Sequence, residues 1–319
     1  MGDLGDALAD EVSGFPPARL GEVVRGLIER YRTGVDPRSV VLDSEVAAVA
    51  YAAYRMPATH AALGAVFDVV SGLAPGFEPA SMVDVGGGTG AAVWAALAAW
   101  GSLREVTVID QSAQALALGK RLAGRGGLRG VQWRRAGIGE VPPADVVTMS
   151  YVLNELTERA RADAVAALAR AGGLVVVVEP GTPAGYERVL AARDVLVAAG
   201  LRVVAPCPHS GACPIPTGQD WCHFTARLNR SAVHRKIKDA TLGFEDEKFS
   251  YVAAARADWA PAPGRVVRHP VKRKGLVSLR VCGADGALAD VTVTKRTPES
   301  YRDARDVAWG DAWTGNGSP

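Results

Sequence analysis

"VDVGGGTGAAVWAA", residues 83–96, reads as a short buried strand, a glycine-rich turn and the opening of an apolar helix. Its glycines Gly86, Gly88 and Gly90 are spaced G-x-G-x-G, with Gly87 between the first two. The dinucleotide fingerprint G-x-G-x-x-G uses its longer spacing to bring a pyrophosphate onto the helix N-terminus. The tighter turn lets the backbone approach the body of a nucleoside and offers no phosphate cradle. Asp84 lies two residues before the first glycine, where a carboxylate meets a cationic amino group. Asp110 closes the next apolar run, "EVTVID" (105–110), where an acid accepts both hydroxyls of a ribose.

Outward from that turn, strands and helices alternate. The periodicity predicts helices over 90–100, 112–124, 157–171 and 186–200, and strands over 82–86, 105–110, 131–136, 145–151 and 172–180. Several of the strands are apolar throughout, as expected of a parallel sheet covered on both faces. The fold class is therefore α/β, a doubly wound Rossmann-like domain. A ligand with an adenosine, an ammonium and no phosphate is S-adenosylmethionine, and residues 80–205 resemble the class I methyltransferases.

Upstream, residues 18–32, 44–56 and 57–72 read as three helices, with Ser44 as an N-cap and Pro57 dividing the last two. After residue 205 the alternation stops. "EDEKFSYVAAAR" (245–256) reads as a late strand, with 248–255 returning to the sheet, which makes the cysteine segment before it an insertion. Residues 265–296 read as a β-meander with turns at Lys274-Gly275 and "GADG" (283–286), and the tail "TGNGSP" (314–319) as disordered. The expected division is 1–77, an N-terminal helical segment; 78–205, the S-adenosylmethionine-binding domain; and 206–319, the cysteine insertion, late strand and basic meander.

After the fourth strand, "DVVTMSYVLNEL" (145–156) occupies the place where methyltransferases present substrate-facing residues, so Ser150, Tyr151 and Asn154 are candidates for a substrate pocket. The segment lacks the Asn/Asp-Pro-Pro-aromatic turn of amino-group methylases and the cysteine of the cytosine-C5 enzymes. No general base can be named from it.

The chain has 319 residues and four cysteines, three of them in "CPHSGACPIPTGQDWCH" (207–223). The longest apolar runs are far too short to span a bilayer, so no membrane partner is expected. The acidic start (Asp3, Asp6, Asp10, Glu11) fits neither a secretory signal nor a transit peptide, which predicts a cytoplasmic protein. In a reducing compartment clustered cysteines read as metal-binding or catalytic. The spacing Cys207-x5-Cys213-x8-Cys222, with Cys282 far downstream, is atypical for the paired C-x2-C knuckles of zinc sites and for a C-x-x-C redox pair. Iron–sulfur clusters need four thiolates, tolerate irregular loops and often have a proline beside a ligand, as at Cys207-Pro208 and Cys213-Pro214. His209 and His223 are alternative ligands, a structural zinc is the alternative metal, and Cys282 alone also reads as a buried core residue.

Charge is uneven: residues 206–319 hold 17 Lys and Arg against 12 Asp and Glu, whereas residues 1–205 hold 19 against 22. Two stretches carry the excess: Arg227, Arg230, Arg235, Lys236 and Lys238, with His234 among them, then Arg265, Arg268, Lys272, Arg273 and Lys274. Both suit a phosphate backbone, and a group joining the four cysteines would bring them together.

The segments "YRMPATHAAL" (54–63), "VDVGGGTG", "VLNEL", "VEPGTPAGY" (178–186), "CPHSGACPIP", "WCHFTARLNR" (221–230) and "EDEKFSYVAAAR" resemble the methyltransferase-like proteins of the mitochondrial small ribosomal subunit and their bacterial relatives. The resemblance extends over residues 45–296. It implies a role in small-subunit assembly or rRNA modification and a 4Fe-4S cluster held by Cys207, Cys213, Cys222 and Cys282. The leading expectation is thus a monomer that binds S-adenosylmethionine, a 4Fe-4S cluster and small-subunit ribosomal RNA or a pre-ribosomal particle, as an rRNA methyltransferase or as a non-catalytic assembly protein. A small-molecule methyltransferase with a structural zinc is the competing class.

Overall fold

The computed structural model describes residues 2–33, 42, 44–238 and 241–315. Three helices come first: α1 (Leu4–Ser13), α2 (Pro17–Thr33) and α3 (Glu45–Leu73). The alternation expected from the sequence follows, as β1 (Ser81–Val85), α4 (Ala91–Ala99), β2 (Glu105–Asp110), α5 (Ala113–Arg125), β3 (Val131–Arg135), β4 (Ala144–Ser150), α6 (Glu158–Ala171), β5 (Gly172–Pro180), α7 (Pro183–Ala198) and β6 (Arg202–Ala205). Then come β7 (Phe224–Asn229), α8 (Ala232–Lys238), β8 (Phe244–Ala255), β9 (Gly264–Val266), β10 (Val271–Arg273), β11 (Leu276–Gly283), β12 (Leu288–Thr294) and α9 (Pro298–Asp306).

The main sheet runs β3-β2-β1-β4-β5-β8-β6, with β3 through β5 parallel and β8 antiparallel between β5 and β6. The strand order reverses between β1 and β4, so the carboxyl ends of those strands open a crevice there. The unbroken apolar run of β5 suits its place in this sheet: Leu174, Val175, Val176, Val177 and Val178 are fully buried because helices cover both faces. One face packs against α3 and α4 through Leu63, Phe67, Ala92, Ala96 and Trp100. The other packs against α6 and α7 through Val165, Leu168, Val189 and Leu196. This is the class I, Rossmann-like methyltransferase fold.

The late strand does return to the sheet. Residues 249–255 of β8 pair with β5 on one side. On its other side β8 takes β6 against Ala253–Ala255 and β7 against Phe244–Phe249. The cysteine loop is therefore the connection by which the chain leaves one stretch of β8 and rejoins it at another. Neither β6, β7, α8 nor α9 is marked by the sequence patterns above; the two strands are only 4 and 6 residues long.

One expectation is corrected. Pro57 does not separate two helices; it lies inside α3, a single helix of 29 residues. A proline in a helix interior removes a hydrogen bond and costs about 3 kcal/mol. Here both halves are committed by burial: Ala48, Ala52, Ala58, Leu63 and Phe67 are all fully buried. Each large side chain so buried contributes about 1.5–3 kcal/mol, enough to carry the helix through.

The N-terminal helices dock on the sheet domain. Leu4, Ala7, Leu8 and Val12 of α1 join a core that includes Leu118 and Leu122 of α5, and the buried Glu11 accepts from Arg121 and Arg125 at 3.1 and 2.9 Å. At the other end of the chain, β9 to β12 form a separate antiparallel sheet whose core holds Val266, Val277, Leu279, Val281, Val291 and Trp313. Its turns fall where the meander predicts them, with Gly275 and Gly286 in the left-handed region. The last four residues of the tail read as disordered lie outside the described residues.

Candidate cofactor site and cysteine cavity

The glycine turn joins β1 to α4 at the crevice, with Gly86, Gly88 and Gly90 at φ values of +68°, +53° and +84°. Space is as restrictive as backbone. A Cβ at Gly86 would stand 2.5 Å from Val152 Cγ2, and one at Gly87 2.3 Å from Asp84 Oδ2. Asp84 is thus directly beneath the turn and nearly inaccessible, with 1% exposure. Thr148 Oγ1 donates to its Oδ1 at 2.7 Å, while Oδ2 is buried without a partner. Burial drives the Asp84 pKa up to about 7, against the Thr148 hydrogen bond and with a smaller push from Asp110. An orphaned carboxylate oxygen facing a loop no side chain can enter fits a cationic ligand group.

Asp110, at the end of β2, accepts the Gly88 N–H at 2.9 Å and the Ser112 N–H at 2.8 Å. Burial raises its pKa although both bonds oppose the rise. Each oxygen keeps a second lone pair, so the carboxylate can still accept hydroxyls. The turn and the two aspartates therefore meet in one place.

The segment after β4 closes over this turn through Val152. Ser150 ends the strand, Tyr151 has a positive φ of 59°, and Asn154 is exposed in a single 3-10 turn over Leu153–Glu155. A bulky residue in the left-handed region is strained and must be held by its surroundings. Two carboxylates hold it. The Tyr151 hydroxyl donates to Glu247 at 2.9 Å, and Glu247 also receives Arg55 at 2.8 and 3.2 Å, with that guanidinium 5.1 Å above the Tyr151 ring. Burial disfavours charge on Arg55, but Glu247 outweighs it and raises the pKa overall. On the other side Glu179, with no exposed surface, accepts the Leu153 N–H at 2.9 Å and Arg188 Nε at 2.7 Å. Sequence reading missed Arg55, Glu179 and Glu247. Glu179 carried a signal, since a lone charge ending the run "LVVVV" must have a partner.

The four cysteines meet at a second site. Cys207, Cys213 and Cys222 come from the loop between β6 and β7, Cys282 from β11, and all four line one cavity with Tyr186, Arg193, Tyr251 and Arg265. Burial raises the thiol pKa of Cys207, Cys222 and Cys282, the last to about 12, and the neighbouring thiols add to each rise. Arg193 and Arg265, each 3% exposed, oppose it at Cys207. Arg193 also donates to the carbonyls of His209 and Gly211, and Arg265 to those of Pro206 and Gly310. Tyr186 Oη lies 3.3 Å from Cys213 Sγ, and His209 Nε2 lies 3.6 Å from Cys282 Sγ. His223 stacks on Trp221, meets Trp309 edge-on and does not line the cavity. Among the described residues no three His, Cys, Asp or Glu side chains are grouped so as to hold one metal ion. Four thiols beside two buried guanidiniums are nonetheless a donor set suited to an anionic, thiolate-bound group.

The basic candidates fare differently from one another. Arg227 forks onto Asp246, Arg230 and Lys238 share Glu245, and Arg268 holds Asp220. Arg235 donates to the Arg230 carbonyl, and the Lys236 side chain lies outside the described residues. Lys272, Arg273 and Lys274 are exposed on and just after β10.

A doubly wound sheet with a glycine turn after its first strand, joined to a cysteine-lined cavity, defines a methyltransferase-fold protein with a second site. The chain belongs to the family described as mitochondrial small ribosomal subunit Rsm22, whose profile matches residues 45–314. It is 32% identical to the human mitochondrial ribosome assembly protein METTL17, over 84% of this chain and 62% of that protein. It is 21% identical to the Saccharomyces cerevisiae mitochondrial ribosome assembly protein RSM22, over 44% of this chain and 39% of that protein. The chain thus spans less than two thirds of the length of these relatives. Among solved structures, magnesium protoporphyrin IX methyltransferase of Synechocystis PCC 6803, with bound S-adenosylmethionine, aligns with a TM-score of 0.43 at 12% identity, over 63% of this chain and 80% of that one. No helix among the described residues is long and apolar enough to cross a membrane.

Proposed function

We propose that this chain is a small-ribosomal-subunit assembly protein that binds S-adenosylmethionine at the glycine turn, holds a 4Fe-4S cluster in the cysteine cavity and engages small-subunit rRNA. The observation that carries the reading is the convergence of Cys207, Cys213, Cys222 and Cys282 on one cavity in a chain of this family. A single zinc needs its ligands gathered round one point, whereas a cluster offers each thiolate its own iron. Four thiols lining one cavity would give each iron of such a cluster one protein thiolate. Bound there, the cluster would supply a rigid cross-link between the loop and β11.

At the first site S-adenosylmethionine would supply an electrophilic methyl group. Asp84 would neutralise its ammonium, Asp110 would accept its ribose hydroxyls, and Gly86 to Gly90 would admit it to the backbone. Whether the methyl is transferred turns on the segment after β4. Tyr151 is committed to Glu247 and Arg55, and the relatives are named as assembly proteins, so the reading adopted is an assembly role without turnover. In this reading residues 1–77 are the helical segment, 78–205 the cofactor domain and 206–319 the cluster and RNA-binding region. The protein acts as a monomer beside the ribosomes of its own compartment. The cytoplasmic location expected above belongs to the proposal, set against relatives named as mitochondrial.

The test is anaerobic purification with a visible spectrum and iron, sulfide and zinc analysis, alongside Cys282→Ser. A broad band near ~400 nm with about four irons, lost in the variant, is the expected result. A colourless protein with one zinc would instead favour the small-molecule methyltransferase.

A further inference from the structure

Two groups of cations in this chain contrast. Around β7 and β8 four are answered by carboxylates: Arg227 by Asp246, Arg230 and Lys238 by Glu245, Arg55 by Glu247. At one end of the C-terminal sheet the balance is reversed. Lys272, Arg273 and Lys274, with Lys295 and Arg296 just past β12, are all exposed. Among the described residues none of the five forms an ion pair.

Register puts them side by side. Arg273 stands opposite Leu276, and Leu276 opposite Thr294. The Lys295 N–H donates to the Gly275 carbonyl at 3.2 Å, and the Lys295 stem lies within 4.0 Å of where a Cβ on Gly275 would be. The acids of the same sheet, Asp285 and Asp290, lie at its opposite end, where Arg280 already takes Asp290. Successive strand residues point to opposite faces, yet Val271, Lys272 and Arg273 are all exposed. β10, the edge strand of this sheet, is therefore uncovered on both sides, while its partner β11 keeps Val277 and Leu279 in the core.

Five unanswered charges at one place repel one another, and a polyanion relieves that repulsion. A protein partner would want an apolar or aromatic centre to the patch, and among the described residues Val271 is the one large apolar side chain exposed beside these cations. We propose that Lys272, Arg273, Lys274, Lys295 and Arg296 form the surface that grips the phosphodiester backbone of RNA. The inference rests on the RNA-binding part of the proposed function. It adds Lys295 and Arg296 to the contact and moves the contact away from the internally paired residues around α8.

The test uses the full chain and a fluorescein-labelled small-subunit rRNA stem-loop, with anisotropy followed over a potassium chloride series. Each phosphate contact contributes about 0.7–0.9 to the slope of log K against log salt. Lys272→Ala with Arg273→Ala and Lys274→Ala should lower the slope by about 2, and Lys295→Ala with Arg296→Ala by about 1–2. Arg280→Ala, at the far end of the sheet, should leave it in place. All five residues are exposed, so thermal melts should stay those of the unaltered protein. Binding with the slope unmoved in both variants would overturn this surface and leave the RNA reading standing. No binding by the unaltered protein at low salt would overturn both. Displacement of the RNA by polyglutamate at equal charge would overturn it in favour of an acidic protein partner.

Discussion

Asp84 concentrates the conflict at the first site. A carboxylate buried to 1% exposure with one oxygen unpartnered disfavours its own charge, which is why its pKa stands near 7. Because the folded value lies above the unfolded one, the protonated carboxyl supports the fold fully below about pH 4, and that support fades as pH rises toward 7 and beyond. At about 1.4 kcal/mol per pKa unit, the loss is on the order of 4 kcal/mol. Asp84→Asn should therefore flatten the fall in melting temperature of the ligand-free protein between pH 4 and pH 8. If the proposed ligand binds, the same change should weaken S-adenosylmethionine roughly tenfold to a hundredfold by calorimetry, since a charge-assisted bond is lost. An unchanged pH profile would show that Asp84 is ionised at neutral pH by some other means.

At the scale of elements, what could be read from sequence followed from length and period. The strand and helix run from β1 through α7 was legible because each element repeats its pattern long enough to be distinctive, and "GGLVVVVEP" is β5 to the residue. The failures have physical causes. Pro57 is a strong local signal that tertiary burial overrides, and β6 is too short to show alternation. Arg193 was invisible for another reason: on α7 it reads as one charged residue among several, but it is buried and ties down the cysteine loop. Its bonds to the carbonyls of His209 and Gly211 hold the first part of that loop, and hydrogen bonds from a charged donor are worth about 1.5–3 kcal/mol each. Arg193→Met should cost about 3 kcal/mol or more, and Arg193→Lys should recover only part, because an ammonium cannot fork. Hydrogen exchange should show residues 207–213 losing protection while β5 keeps its own. Equal protection in the variant would mean the loop is held without Arg193.

For the molecule as a whole, the cysteine cavity is a joint. Three of its thiols belong to a loop of the main sheet, and the fourth to β11 of the C-terminal sheet, a separation that spacing along the chain cannot reveal. Other contacts cross the same joint: Arg265 to the Pro206 carbonyl and Arg268 to Asp220. These are hydrogen bonds and a part-exposed ion pair, each worth about 1–3 kcal/mol at most. A group bonded to all four thiolates would add far more, because structural metal sites contribute their binding energy to folding. With it in place, the two sheets should melt together as one unit. Without its C-terminal ligand, the smaller sheet, with a core built mainly of valines, should unfold first. Calorimetry of the anaerobically purified protein should therefore give one transition. Cys282→Ser should split it, with early loss of exchange protection in β11 and β12 and the α/β domain melting later. A single transition in both proteins, at the same temperature, would mean that the sheets are joined by packing alone and that the cysteine cavity fastens nothing.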